Sequence, residues 1–152
     1  RLVSDWSSDV CSSDLNIATC SLGTAQAALD TAQRYMNERK QFGQAIGSFQ
    51  ALQFKLADMA TRLTAARALL HTVAAAKDRG VLVPGEVSMC KLFASEMAMW
   101  VTTQAIQVFG GYGYVKEYPV EKYFRDAKVT EIYEGTSEVQ RIVIGRAVSK
   151  PQ

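Results

Sequence analysis

Histidine is nearly absent from this sequence, and cysteine and proline are scarce. His71 is the only histidine among 152 residues, beside three cysteines and three prolines. One histidine cannot build a His-based zinc site, and any Ser-His-Asp triad would depend on it alone. Cys11, Cys20 and Cys90 show neither metal-ligand nor redox-motif spacing, so we predict no metal site and a reducing compartment. Aspartate and glutamate must therefore carry most of any acid–base chemistry.

An excess of charge of one sign is also missing. The chain has 17 Lys and Arg against 15 Asp and Glu, and its net charge is only +2. Binding a phosphate backbone requires a basic surface, so nucleic acid is not an expected partner. No apolar run approaches the roughly 20 residues that cross a bilayer, and no secretory leader is visible. The sequence predicts one soluble domain without a membrane span.

The first 15 residues differ in style from the rest. Ser-Ser-Asp occurs at residues 7–9 and again at 12–14, with little apolar content between the two copies. Neither copy continues the apolar periodicity of a packed helix. We therefore predict that residues 1–15 are a non-native or disordered leader, such as a cloning remnant, and that the domain occupies residues 16–152.

The remaining sequence is rich in strong helix formers and shows no strand periodicity, which predicts an all-α fold. The first helix should span residues 16–39. Gly80 should end the second helix and Pro84 should begin the third, since glycine favours helix C-termini and proline the first helical position. The short loops between these long helices imply antiparallel neighbours. Apolar residues at helical spacing predict the buried face of the second helix: Leu52, Leu56, Met59, Leu63, Ala66, Leu70 and Val73. The corresponding face of the third helix comprises Val87, Cys90, Ala94, Met97, Val101, Ala105 and Val108.

The last third of the chain is more irregular. Three glycines within residues 110–113 predict a tight loop. A short helix should span residues 119–127, and its charged residues indicate a solvated face paired at helical spacings. A last helix should turn four apolar residues inward: Val139, Ile142, Val143 and Ala147.

Glu134 is the most informative candidate for chemistry. It lies in the break between two helices, beside Gly135. Most loop glutamates are simply solvated, but one with aromatic and apolar neighbours could be withdrawn from water and serve as a base. The loop around Gly110 could offer backbone N–H groups to a phosphate, although glycines commonly just end a helix. Arg39 likewise fits simple capping of a helix C-terminus.

Several segments together resemble the signatures of acyl-CoA dehydrogenases. The resemblance covers nearly all of residues 16–149, and the segments agree in order and spacing. They are residues 39–43 with Gln50, 107–113, 118–121, 125–127 and 132–137.

This resemblance implies a three-domain FAD enzyme. The present chain would be its C-terminal four-helix-type bundle, following a helical domain and a middle β domain. Such enzymes are usually homotetramers, and an electron-transfer flavoprotein is the implied acceptor. The implied location is the cytoplasm of a bacterium or the mitochondrial matrix of a eukaryote.

The resemblance also assigns roles residue by residue. Glu134 matches the base that removes the α-proton of the acyl-CoA. Its backbone N–H, with a ribityl hydroxyl of the flavin, would bind the thioester oxygen. Gly135 and Arg146 match substrate contacts. The matches to FAD contacts are Arg39, Phe49 and Gln50 toward a neighbouring subunit, Gln107, Val108, Phe109, Gly110 and Gly111, and Thr136, Ser137 and Glu138.

Other segments look similar to isobutyryl-CoA dehydrogenases, which favours a short branched substrate. Butyryl-CoA is the nearest competitor, since one methyl group in an apolar pocket is worth about 1–3 kcal/mol. Two alternatives stay open: an acyl-CoA oxidase or other flavoprotein of the same fold, and a non-catalytic helical assembly module for this chain alone. One position departs from the family pattern, because Asp14 stands where an arginine of a substrate motif is expected.

Overall fold

The computed structural model describes the backbone of residues 2–81 and 83–149, and the side chains from Ser12 onward within them. These residues form an all-α domain, as predicted. Its helices are α1 (Leu2–Glu38), α2 (Gln50–Asp78), α3 (Pro84–Phe109), α4 (Val120–Thr130) and α5 (Ser137–Val148). A two-stranded antiparallel hairpin of β1 (Lys40–Gln41) and β2 (Gln44–Ala45), and short 3-10 turns at Ile46–Ser48 and Gly110–Tyr114, connect them.

Helix α3 is the centre of the domain, because α1, α2, α4 and α5 all pack against it. All seven residues of its predicted stripe are buried. The stripe of α2 is confirmed as well: Met59 and four later members are buried, while Leu52 and Leu56 pack against the core from its edge. Helical periodicity alone therefore identified most of the core.

The two helix boundaries around residue 80 are also confirmed. Helix α2 ends at Asp78, and Gly80 adopts a left-handed φ of 77°. The N–H groups of Gly80 and Val81 donate to the carbonyls of Lys77 and Ala76, which satisfies acceptors at the helix end. Pro84 begins α3, where its missing N–H costs nothing.

The predicted start of the first helix is wrong. Helix α1 begins at Leu2 instead of near residue 16, and Asp14 and Leu15 are buried. Residues 2–15 contain neither glycine nor proline, so nothing in them stops a helix that the core has already nucleated. The origin of residues 1–15 stays a prediction.

The end of the first helix differs little from the prediction, but a hairpin follows it. Phe42 and Gly43 both have positive φ, 52° and 79°, which suits a two-residue turn between antiparallel strands. Strands of two residues are too short to leave a periodic signal in the sequence.

The predicted inward face of the last helix is wrong within this chain. Val139, Ile142 and Val143 are exposed, whereas Ser137 and Gln140 are buried. Helix α5 packs on α3, and its buried Gln140 donates to the Glu134 carbonyl of the preceding loop and to Asp14 of α1. Its apolar side faces outward.

The charged face of α4 is as predicted. Lys122 pairs with Asp126, and Arg125 lies 4.0 Å from Glu121, both at helical spacing. Within residues 2–81 and 83–149, none of the helices combines the length and the apolar character that a bilayer crossing requires.

Candidate active site

Glu134 lies in a short loop that reverses the chain between α4 and α5. Glu134 and Gly135 both have left-handed backbone angles, with φ of 53° and 90°. The loop is closed at its base, where the Ser137 N–H donates to the Glu131 carbonyl over 3.0 Å. A positive φ is uncommon for a residue with a Cβ atom and marks a conformation that its surroundings must hold.

The carboxylate of Glu134 is exposed, and its neighbours Ile132 and Tyr133 are exposed too. The withdrawal from water that the sequence suggested is therefore not provided by the described part of this chain. What the chain does provide is a carboxylate that other molecules can reach.

A buried lysine donates hydrogen bonds to the backbone of this loop. Lys91, on α3, is only 1% exposed. Its ammonium donates to the Tyr133 carbonyl over 2.8 Å and also to the Gly135 carbonyl. Sequence reasoning missed Lys91, although a charged residue directly beside the stripe residue Cys90 was the available signal.

Gln140 and Asp14 complete the support. The Gln140 Nε2 donates over 3.4 Å to the Glu134 carbonyl and to both carboxylate oxygens of Asp14. Three consecutive loop carbonyls, at residues 133–135, therefore accept hydrogen bonds from Lys91 and Gln140. Asp14, predicted to belong to a leader, is buried within this cluster.

Burial sets the electrostatics of the cluster. Burial lowers the pKa of Lys91, and the nearby charges of Asp14 and Glu134 partly oppose that shift. Burial likewise raises the pKa of Asp14, while Lys91 and the hydrogen bond from Gln140 act in the opposite direction. The two buried groups of opposite charge thus stabilise each other's ionised form.

Three of the predicted site residues open α5. Thr136 is its N-cap, and the Thr136 hydroxyl accepts a hydrogen bond of 3.4 Å from the Val139 N–H. The hydroxyl of Ser137 is buried and has no hydrogen-bond partner among the described residues. Hydrogen bonds from its own backbone N–H and from Thr136 lower the pKa of Glu138. Arg146 is exposed in the last turn of the same helix.

A groove of about 410 Å³ lies between the hairpin and the end of α3. Tyr35 and Phe109 stack in its wall with ring centroids 3.9 Å apart, and the Arg39 guanidinium lies 5.4 Å from the Tyr112 ring. Seven predicted cofactor contacts line this groove together: Arg39, Phe49, Gln107, Val108, Phe109, Gly110 and Gly111.

The groove does not include every predicted cofactor contact. Gln50 is exposed at the first position of α2 and is not among the lining residues. Thr136, Ser137 and Glu138 belong to the loop cluster instead. Apart from Gln50, the predicted contacts therefore form two separate groups, one in the groove and one at the loop cluster.

The structure thus places a reachable carboxylate and an open groove containing Arg39 on one all-α domain. Comparison with known sequences identifies the family. The family profile described as acyl-CoA dehydrogenase, C-terminal domain, matches residues 13–149. The chain belongs to the acyl-CoA dehydrogenase family and carries its C-terminal domain.

Individual relatives support this assignment. The chain is 51% identical over 132 residues to an acyl-CoA dehydrogenase of Bacillus subtilis, covering 87% of this chain and 35% of that protein. It is 48% identical over 136 residues to the acryloyl-CoA reductase (NADH) of Anaerotignum propionicum, covering 90% and 34%. The chain thus spans about a third of the length of these curated relatives.

Among solved structures, butyryl-CoA dehydrogenase from Megasphaera elsdenii matches 95% of this chain and 38% of its own, with a TM-score of 0.93 and 44% identity. The predicted all-α fold and the predicted family are therefore confirmed.

Proposed function

We propose that the protein carrying this domain oxidises a short-chain, branched acyl-CoA to its α,β-enoyl-CoA, with FAD as cofactor and Glu134 as base. One observation carries the proposal: a reachable carboxylate lies on a strained loop in which the carbonyls of residues 133–135 accept hydrogen bonds from Lys91 and Gln140. In a family of acyl-CoA dehydrogenases, a carboxylate held in this way is suited to removing a proton from carbon.

The chain's own residues account for the proton half of the reaction. The Glu134 carboxylate takes the α-proton, and the electrons of that C–H bond become the new double bond. The N–H of Glu134 would donate to the thioester oxygen, which stabilises the charge that develops there. FAD, when bound, accepts the hydride that leaves the β-carbon. Gly135 and Arg146 are proposed to contact the CoA part.

The residues present fit FAD. Arg39 offers a planar fork to a pyrophosphate, and a Cβ added at Gly110 or Gly111 would meet nothing within 4 Å, so a ligand can approach the backbone there. The unpartnered buried hydroxyl of Ser137 offers a further hydrogen-bonding atom. We propose that the groove residues and Gln50 hold one FAD and that residues 136–138 contact another.

This division implies an oligomer, because one chain supplies contacts to two cofactors. We propose a homotetramer, and the exposed apolar side chains of α5 and the 91% exposed Phe42 support a further packing partner. Light scattering of the complete enzyme measures the mass, and a monomer with full FAD content would contradict shared sites.

An electron-transfer flavoprotein is the proposed electron acceptor. The proposed location is the bacterial cytoplasm or the mitochondrial matrix.

The test uses a chimera in which residues 13–149 replace the corresponding segment of Megasphaera elsdenii butyryl-CoA dehydrogenase. Anaerobic mixing with butyryl-CoA or isobutyryl-CoA should bleach the oxidised flavin band. Glu134→Gln should nearly abolish bleaching while FAD stays bound. Rapid bleaching by E134Q would overturn the assignment of the base.

The parent enzyme is the control for substrate choice. If this domain selects a branched chain, the chimera should favour isobutyryl-CoA over butyryl-CoA more than its parent does. An unchanged preference would contradict the branched-chain proposal and leave the base unaffected. The rate of oxygen consumption is compared with the rate of reduction of an electron-transfer flavoprotein. Faster reduction of the flavoprotein indicates a dehydrogenase, and faster oxygen consumption indicates an oxidase.

The acryloyl-CoA reductase among the relatives favours a second candidate, the reverse reaction. Glu134 would then return a proton to the α-carbon, since a base and its conjugate acid serve the two directions of one step. Reoxidation of the dithionite-reduced chimera by an enoyl-CoA, faster than reduction of the oxidised chimera by the saturated substrate, would favour this direction.

A further inference from the structure

Lys91 is an unusual component of a helical core. It is 1% exposed and lies on α3 between Cys90 and Ala94, which are also buried. Burying an ammonium group is costly unless its protons are hydrogen-bonded. A lysine buried at this position therefore requires an explanation.

The partners of Lys91 supply that explanation. Among the described residues, no carboxylate lies within ion-pairing distance of its ammonium. It donates instead to two backbone carbonyls, those of Tyr133 and Gly135. These are the residues on either side of Glu134.

The backbone of Glu134 explains why such a contact is needed. With its φ at 53°, Glu134 occupies a region that residues with a Cβ atom rarely adopt. The neighbouring Gly135 is left-handed too and would relax easily, since glycine has many accessible conformations. Two carbonyls bound to one ammonium, with the carbonyl between them bound to Gln140, remove that freedom.

We propose that Lys91 is a positioning residue for Glu134: its ammonium binds the carbonyl oxygens on both sides of Glu134 and so fixes where the carboxylate points. Gln140 assists through the Glu134 carbonyl. Lys91 touches no reacting atom in this role. The inference rests on the proposed function, in which Glu134 is the base, because a small displacement of a base slows proton transfer.

The first experiment measures loop order in the full 152-residue chain. Lys91→Met keeps the length of the side chain but removes its donors. Hydrogen exchange of the Ser137 amide, which closes the loop, should become at least about 10-fold faster, while amides of α2 keep their rates. Thr102→Val is the matched control, because the buried Thr102 hydroxyl donates only within α3.

The second experiment measures chemistry in the same chimera. K91M should slow flavin reduction on the order of 10²-fold while FAD content stays unchanged, and the dissociation constant for acyl-CoA should change far less than the rate. T102V should reduce flavin at the rate of the unmodified chimera. A purely structural role would lower cofactor content or overall stability without this separation of rate from binding.

The outcomes separate this inference from the proposed function. If E134Q abolishes reduction but K91M reduces flavin at the normal rate with normal loop exchange, the role of Lys91 is overturned and that of Glu134 stands. If E134Q reduces flavin normally, both are overturned. Should K91M fail to fold, Lys91→Gln keeps hydrogen-bonding groups in the core, but its side chain is one atom shorter and uncharged, so it should hold the two carbonyls less tightly and give smaller changes in the same direction. Unchanged exchange and rate in K91Q would then overturn the inference.

Discussion

Gly113 packs so closely on Ile106 that a Cβ atom at position 113 would lie 2.6 Å from the Ile106 carbonyl oxygen. Two further atoms, one of Ile106 and one of Phe109, would lie 3.0 Å away. We therefore expect Gly113→Ala to lower the free energy of unfolding by about 1–3 kcal/mol through overpacking. Urea denaturation followed by circular dichroism measures the change.

The same turn contains its own control. A Cβ added to Gly111 meets nothing within 4 Å. Gly111→Ala should therefore be neutral or slightly stabilising, since it only restricts the unfolded chain. Equal destabilisation by the two variants would show that the contact with Ile106 is not the cause.

Cys90 should behave as a protected thiol. Burial raises its pKa to about 11, whereas Cys20 is exposed. At neutral pH a thiol reagent should modify Cys20 quickly and Cys90 only at the rate of unfolding, because the thiolate is the reactive form. Peptide mapping after timed quenching identifies the modified residue, and fast modification of Cys90 would contradict its burial.

The same shift predicts a dependence of stability on pH. Between the ordinary thiol pKa of 9.0 and about 11, the unfolded chain loses the Cys90 proton while the folded chain keeps it. Stability is therefore unaffected below pH 9 and falls as the pH rises toward 11, by on the order of 2 kcal/mol. Cys90→Ala should lack this part of the decline when both proteins are unfolded in urea across this range.

Arg39 should matter for cofactor retention. Losing a charge-assisted hydrogen bond to a pyrophosphate, worth about 1.5–3 kcal/mol, should weaken FAD binding of the chimera about 10-fold or more in Arg39→Gln. Lys40 is the adjacent cation but does not line the groove. The fluorescence of the FAD that dissociates on dilution should therefore be higher for R39Q than for the unmodified chimera, and unchanged for K40Q. Similar release from the two variants would contradict a local role of Arg39.

The N-cap of α5 offers a further test. Removing the Thr136 hydroxyl in Thr136→Ala should cost about 1 kcal/mol, because the Val139 N–H loses its acceptor. Thr136→Ser keeps the oxygen and should retain most of that stability in urea denaturation. Equal losses in the two variants would point to the methyl group instead.

The sequence predicted those parts of the fold that depend on local order. Leu63 and Val101 could be assigned to the core because each belongs to a long stripe with helical period, and Gly80 and Pro84 act on their own helix ends. The orientation of Ile142 could not be predicted in this way, since it depends on which side of α5 meets α3. The strands around Phe42 were too short to show a period.

The candidate site divides in a similar way. Glu134 was found through its loop and the family resemblance, and Arg39 and Gly110 prove to share one groove although 71 positions separate them. Lys91 was missed because its role depends on a contact with residues more than 40 positions away. The position of Lys91 beside the stripe of α3 indicates a place near the core but does not indicate which distant residues it contacts.

The support of Glu134 joins distant parts of the chain: Lys91 reaches over 42 and 44 positions, and Gln140 reaches Asp14 over 126. Closing loops of that length is entropically expensive and is repaid only by the finished arrangement of helices. The direction of the carboxylate therefore depends on the completed packing of α1, α3 and α5. A partly unfolded chain can contain every one of its helices and still leave the Glu134 carboxylate without a fixed direction.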